Sequence, residues 1–174
     1  MDSESFNLPL VGISACLLGQ RVRYDGGHKL QSKILKYFHH KVRWVAICPE
    51  TECGMDTPRE PMHLQDDGDN PSLVACDTGR DLTWVFKKWL CAKLKDHSLE
   101  NLSGMLLKSK SPSCAIHDVP VYTDVNEGTV LVRGAGLFAR AFMKEYQHVP
   151  VVDETELDTV EAMDEFYGRI LECS

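Results

Sequence analysis

Seven cysteines are spread over the 174 residues of this chain, and their neighbours sort them. Cys16 sits in Ser14-Ala15-Cys16-Leu17-Leu18-Gly19, Cys48 opens Cys48-Pro49-Glu50, and Cys114 closes Ser111-Pro112-Ser113-Cys114. Flanking proline, glycine and serine are loop chemistry, and a loop thiol is available to a metal or as a nucleophile. Cys91, inside Trp89-Leu90-Cys91-Ala92, reads instead as a small core filler. Cys76 follows Val74-Ala75 like a short-strand residue, Cys53 stands beside Gly54, and Cys173 is next to last. No C-x-x-C occurs, so the local spacing of zinc ribbons and dithiol redox motifs is missing.

Other polar residues offer less. His39-His40 reads as a solvated pair at a helix C-terminus, where the dipole favours positive charge. His28, His63, His97, His117 and His148 stand alone, and Asp25-Gly26-Gly27 reads as a tight turn. Asp66, Asp67 and Asp69 lack the terminal glutamate and spacing of a calcium loop.

The elements that would position the thiols follow from hydrophobic patterning. Short apolar runs over 10–15, 44–48, 104–108 and 149–152 have the length of buried strands. Between them, Leu30, Ile34, Leu35 and Phe38 repeat at helical spacing, as do Leu82, Val85, Phe86, Trp89, Leu90 and Leu94. Asp81 is placed to cap the latter helix, and Trp84 and Trp89 are expected in the core. Thr155 is placed to cap a C-terminal helix carrying Leu157, Val160, Tyr167, Ile170 and Leu171. Runs over 119–124 and 129–133 read as a β-hairpin inserted after the third long strand, and 65–72 as a turn cluster.

Alternating strands and helices predict a single Rossmann-like α/β domain over 10–174, after an extension over 1–9. Its mostly parallel sheet is flanked by helices. Ligands of such sheets bind beyond the carboxyl ends of the strands. Cys16, Cys48 and Cys114 each follow a predicted strand, so three distant cysteines should converge on one edge.

Composition bounds the partners. A net charge of −7 has the wrong sign for gripping a phosphate backbone unaided, so nucleic acid is not an expected partner of this domain alone. No apolar run reaches the roughly 18 residues of a membrane span. The acidic, polar start over 1–7 does not read as a secretory signal, so the chain is expected in the cytoplasm without a disulfide framework. Oligomeric state leaves no mark in the sequence.

The segments S-x-C-L-L-G…R-Y-D-G-G, C-P-E-x-x-x-G-M-x-x-P-R-x-P and S-P-S-C, in this order, resemble the thiouracil desulfidase family. The resemblance runs from about Val11 to Glu156 and takes in Gly79, Asp81, Thr83, Gly134 and Gly136. It implies a [4Fe–4S] cluster on Cys16, Cys48 and Cys114, with one iron open to the sulfur of a thiolated pyrimidine. It also implies Glu50 as catalytic acid/base and Ser111 as active-site serine. The chain departs from the family at Cys53-Gly54, usually a glycine pair, and at Ala115, usually glycine.

The activity implied is non-redox hydrolytic desulfuration of a 2-thiouracil-like base or nucleoside, with sulfide release. One alternative is a non-catalytic iron–sulfur or zinc-binding sensor or interaction module, in which a carboxylate at Glu50 has no task. Another is a cysteine hydrolase using Cys48 or Cys114, which would need a histidine that no motif places beside either.

Overall fold

Four strands in parallel organise the chain, with the two central ones buried along nearly their whole length. The computed structural model describes residues 8–66, 69–124 and 127–174. Asp67 and Gly68 of the turn cluster, Val125 and Asn126 of the hairpin turn, and residues 1–7 of the extension lie outside the described residues. Strands β1 (Leu10–Ser14), β2 (Arg43–Ile47), β5 (Leu102–Leu107) and β8 (Val151–Asp153) form one parallel sheet in the order β2-β1-β5-β8. In register, Val11 pairs with Trp44 on one side and Gly104 on the other. The chain leaves β1 toward β2 and later returns on β1's other side as β5. Strand order therefore reverses between β1 and β5, and that reversal opens a crevice at the carboxyl ends.

Alternating side chains send each strand into two cores. Val11, Ile13 and Leu106 face α1 (Ser32–Tyr37) and α6 (Val160–Cys173), packing with Ile34, Phe38, Phe166 and Ile170. Met105 and Leu107 face α3 (Thr83–Leu94) and α5 (Leu137–Glu145), packing with Phe86, Phe138 and Phe142. The second core is closed by another sheet, ordered β4-β3-β6-β7, from β3 (Met62–Gln65), β4 (Ser72–Ala75), β6 (Val119–Asp124) and β7 (Thr129–Gly134). Short helices α2 (Pro49–Glu52) and α4 (His97–Glu100) complete the chain. β6 and β7 pair antiparallel, while β6 also pairs in parallel with β3. Hydrophobic runs announce β6 and β7 of this second sheet but not β3 and β4, which are four residues each, and Met62-His63-Leu64-Gln65 has no β-branched residue.

Several local expectations shift. The last parallel strand starts at Val151, not at Val149, because Pro150 has no N–H for a ladder. Thr159, not Thr155, caps α6, accepting from the Ala162 N–H at 3.1 Å, while the Thr155 hydroxyl and N–H both bond Asp153. Asp81 accepts from the Thr83 N–H at 2.8 Å, one residue ahead of the N-cap position at Leu82. Cys91 and Trp84 are exposed rather than core. At 100° per residue they lie about 140–160° around α3 from Phe86, the residue that α3 buries.

Candidate active site

Three loops leave the carboxyl edge of the parallel sheet, and each carries one cysteine. After β1 the chain makes a 3₁₀ turn, Ala15–Leu18, closed by Gly19 at φ 91°, a conformation that favours glycine. Cys16 is buried in this turn. After β2, Cys48 is the N-cap of α2, with Pro49 at the first helical position, where its missing N–H costs nothing. Glu52 reaches back to accept from the Cys48 N–H at 3.0 Å, and Lys93 pairs with Glu52 at 3.1 Å.

The third loop needs the most support. Ser111 Oγ accepts from the N–H groups of Ser113 and Cys114, at 3.2 and 3.0 Å, folding the loop back on itself. Its carbonyls at Pro112 and Ser113 then accept from Leu137 and Phe138, satisfying donors of the first turn of α5. This contact requires Gly136: a Cβ there would stand 2.6 Å from the Ser113 carbonyl carbon. The second glycine of Gly134-Ala135-Gly136 thus serves the loop that carries Cys114.

Cys16, Cys48 and Cys114 line one cavity of about 280 Å³ together with Glu50, Lys108 and Ser111. Burial pushes the Cys16 thiol up to about 11, helped by Cys48 and opposed by Arg23 and Lys108. Burial likewise holds the Cys114 thiol well above its ordinary range, with Glu50 and Cys48 adding to the rise. Unliganded, these two thiols are protonated. A cationic partner is what would draw them to thiolate. Among the described residues, His117, Asp153 and Glu156 bring one ligand atom each within 4.8 Å of one another.

Glu50 enters the cavity from α2, and both its oxygens are engaged. Ser113 Oγ donates to Oε1 at 2.9 Å, and Arg59 donates to Oε2 from Nε at 3.0 Å and also from Nη2. The serine that touches Glu50 is therefore Ser113, whereas Ser111 lines the cavity and holds its own loop. Sequence reading misses Ser113 and Arg59 although both lie inside quoted motifs, because neither motif tells which of its residues reaches the carboxylate. Cys53 does not line the cavity; its thiol donates to the Glu50 carbonyl at 3.2 Å. Cys76 and Cys91 are exposed and Cys173 half-buried, away from the cavity lining.

A second charged pair braces the crevice from the far side. Lys108 bonds Glu154, which also accepts from the Ser109 N–H at 2.8 Å and hydroxyl at 2.7 Å. Burial would raise the Glu154 carboxyl, but Lys108 and Ser109 outweigh it and hold the value below the ordinary one. A depressed folded value means stability present above the unfolded pKa, about 4.3, and lost as pH falls through the folded value. Glu154→Gln leaves Lys108 without its counter-charge and should cost about 3 kcal/mol at pH 7. Urea unfolding at pH 7 and pH 3 checks this, the gap between wild type and variant narrowing at the acid end.

The chain is similar to known proteins. A family model described as 2-thiouracil desulfurase matches residues 11–154. The uncharacterized protein YbbK of Bacillus subtilis (strain 168) is 30% identical over 156 residues, covering 87% of this chain and 99% of that protein. A solved structure of TudS, a [4Fe–4S]-dependent thiouracil desulfidase, matches with a TM-score of 0.66 and 31% identity. That match covers 86% of this chain and 93% of the other.

Proposed function

The chain belongs to the 2-thiouracil desulfurase family, and from that premise we propose that it replaces the thiocarbonyl sulfur of a 2-thiouracil-like pyrimidine by oxygen at a [4Fe–4S] cluster held by Cys16, Cys48 and Cys114. The observation that carries this reading is the cavity at the strand-order reversal, where three loop cysteines meet one carboxylate.

The residues fit the group. Three thiols make a soft donor set, and Arg23 and Lys108 favour the thiolate of Cys16 against the opposing pull of burial, Cys48 and Glu154. Three cysteine thiolates are the donor type by which iron–sulfur clusters are held. Such a cluster, when bound, supplies one iron with an open position, a Lewis acid for thiocarbonyl sulfur.

The chain's own groups do the rest. A carboxylate has about four acceptor sites. Ser113 and Arg59 occupy three on Glu50, leaving one for the proton of a water. Glu50 takes that proton as the water oxygen bonds to the ring carbon. The C–S bond then breaks and its electron pair leaves with sulfur, which takes one proton back from Glu50 and the other from the hydroxyl on the ring carbon, so thiocarbonyl and water become carbonyl and hydrogen sulfide, with no external oxidant or reductant. Ser111, its oxygen engaged by two N–H groups, keeps its own proton for a ring atom in the cavity. No histidine lines the cavity, which weighs against a cysteine nucleophile activated by imidazole.

Anaerobically loaded protein should release one sulfide per uracil formed from 2-thiouracil, without added reductant; loaded protein that releases none would sink the reading. The substrate is a free base or nucleoside, since a cavity of about 280 Å³ sits in a chain of charge −7. Filter binding with transfer RNA should give no salt-sensitive submicromolar complex, as few phosphate contacts are available. No helix among the described residues is long and apolar enough to cross a membrane.

A further inference from the structure

Arg59 lines the cavity, yet all of its donors are already committed. A guanidinium has five N–H groups. Arg59 Nε and Nη2 donate to Glu50, Nη2 also to the Val22 carbonyl at 2.9 Å, and Nη1 to the Asp56 carbonyl at 3.0 Å and the Thr57 hydroxyl at 3.2 Å. Its backbone N–H donates to the Tyr24 carbonyl at 2.8 Å. The side chain is 9% exposed. Nothing is left over for a substrate.

What these bonds join is the point. Val22 and Tyr24 belong to the loop that carries Cys16, Glu50 lies two residues beyond Cys48, and Glu50 in turn is bonded to Ser113, the neighbour of Cys114. One buried arginine therefore ties together, directly or through Glu50, all three cysteine loops. Lys93 reaches only one of them, through Glu52.

We propose that Arg59 is a positioning residue that braces the three cysteine loops through Glu50 and Ser113, so that its chief contribution is retention of the metal group and not recognition of substrate. This rests on the desulfidase reading above. Lysine cannot replace it, because an ammonium presents a point charge where a planar fork spans two loops. Groups that orient metal ligands typically contribute about 10–100-fold to metal affinity.

The test is anaerobic loss of the visible cluster band to excess EDTA, with far-UV circular dichroism on the same samples. Arg59→Lys should lose its cluster about tenfold or more faster than wild type at unchanged secondary structure. Ser113→Ala, a small change at a fully buried site that cuts only the third link, should also be faster, by a lesser factor. Lys93→Ala should match wild type. Turnover per remaining cluster should keep the wild-type KM in Arg59→Lys. Cluster loss within twofold of wild type in both Arg59→Lys and Ser113→Ala would overturn the brace. So would a raised KM with normal retention, which would make Arg59 a substrate contact. If Arg59→Lys does not fold, the Ser113→Ala rate alone decides. Failure of the desulfidase reading looks different: wild type that holds iron and releases no sulfide.

Discussion

Cys16→Ala and Cys114→Ala should strip anaerobically prepared protein of its colour and of essentially all its iron, where wild type carries about four irons per chain. Both residues are buried in the same cavity on loops from adjacent strands, and each would hold a different iron. Removing one of three thiolates leaves two, too few to keep the group against exchange with solvent. Cys91→Ala is the control, since Cys91 lies exposed on α3 and should keep full iron. Iron analysis with the visible spectrum reads the result. Wild type that stays colourless and takes one zinc after anaerobic reconstitution would overturn the cluster assignment and revive the zinc-module alternative. Unchanged far-UV circular dichroism in the cysteine variants would separate lost ligation from lost fold.

Glu50→Gln should lose about 10²–10⁴ in turnover per loaded cluster, the usual magnitude for a missing general base. The amide keeps one oxygen that can accept from Ser113 or Arg59, so the loop geometry survives in part. It cannot take a proton from water. The Arg59 charge is left without its partner, so cluster occupancy should also fall, and the rate must be divided by the cluster absorbance of the same sample. A role confined to holding Ser113 and Arg59 predicts a stability loss and near-normal normalised turnover. Near-normal turnover would remove Glu50 from the mechanism and turn attention to Ser111.

The cavity was more legible from sequence than the surface around it. Cys16 and Cys48 stand where an apolar run ends and Cys114 six residues past one, and in a parallel sheet those positions send a residue to the ligand edge. Strand order is a long-range property, and no local pattern shows that β1 and β5 flank the reversal. Periodicity locates α3 but not which side of it is buried, so sequence places Cys91 and Trp84 in the core whereas Phe86 is the residue of α3 that is fully buried. Thr155 and Thr159 offer the same hydroxyl, and the choice between them follows from Asp153, whose carboxylate engages the former. The pairing of Glu50 with Arg59 and Ser113 depends on three loops meeting, which no single motif encodes.

The pairing of β1 with β5, Leu10 beside Leu102, also bears on the order in which the protein is made. A ribosome delivers Cys16 and Cys48 early, while the strand that positions Cys114 is still unsynthesised. At roughly 5–20 residues per second, the nascent chain spends several seconds displaying two of the proposed ligands without the third. Two thiols alone can pick up stray soft metal but cannot complete the site. Maturation therefore waits for β5 to enter the sheet and for α5 to clasp the third loop across Gly136. After that the complete chain has to stand folded until the metal arrives, and its loops are shaped by the Ser111, Glu52 and Ser14–Lys108 hydrogen bonds that need no iron.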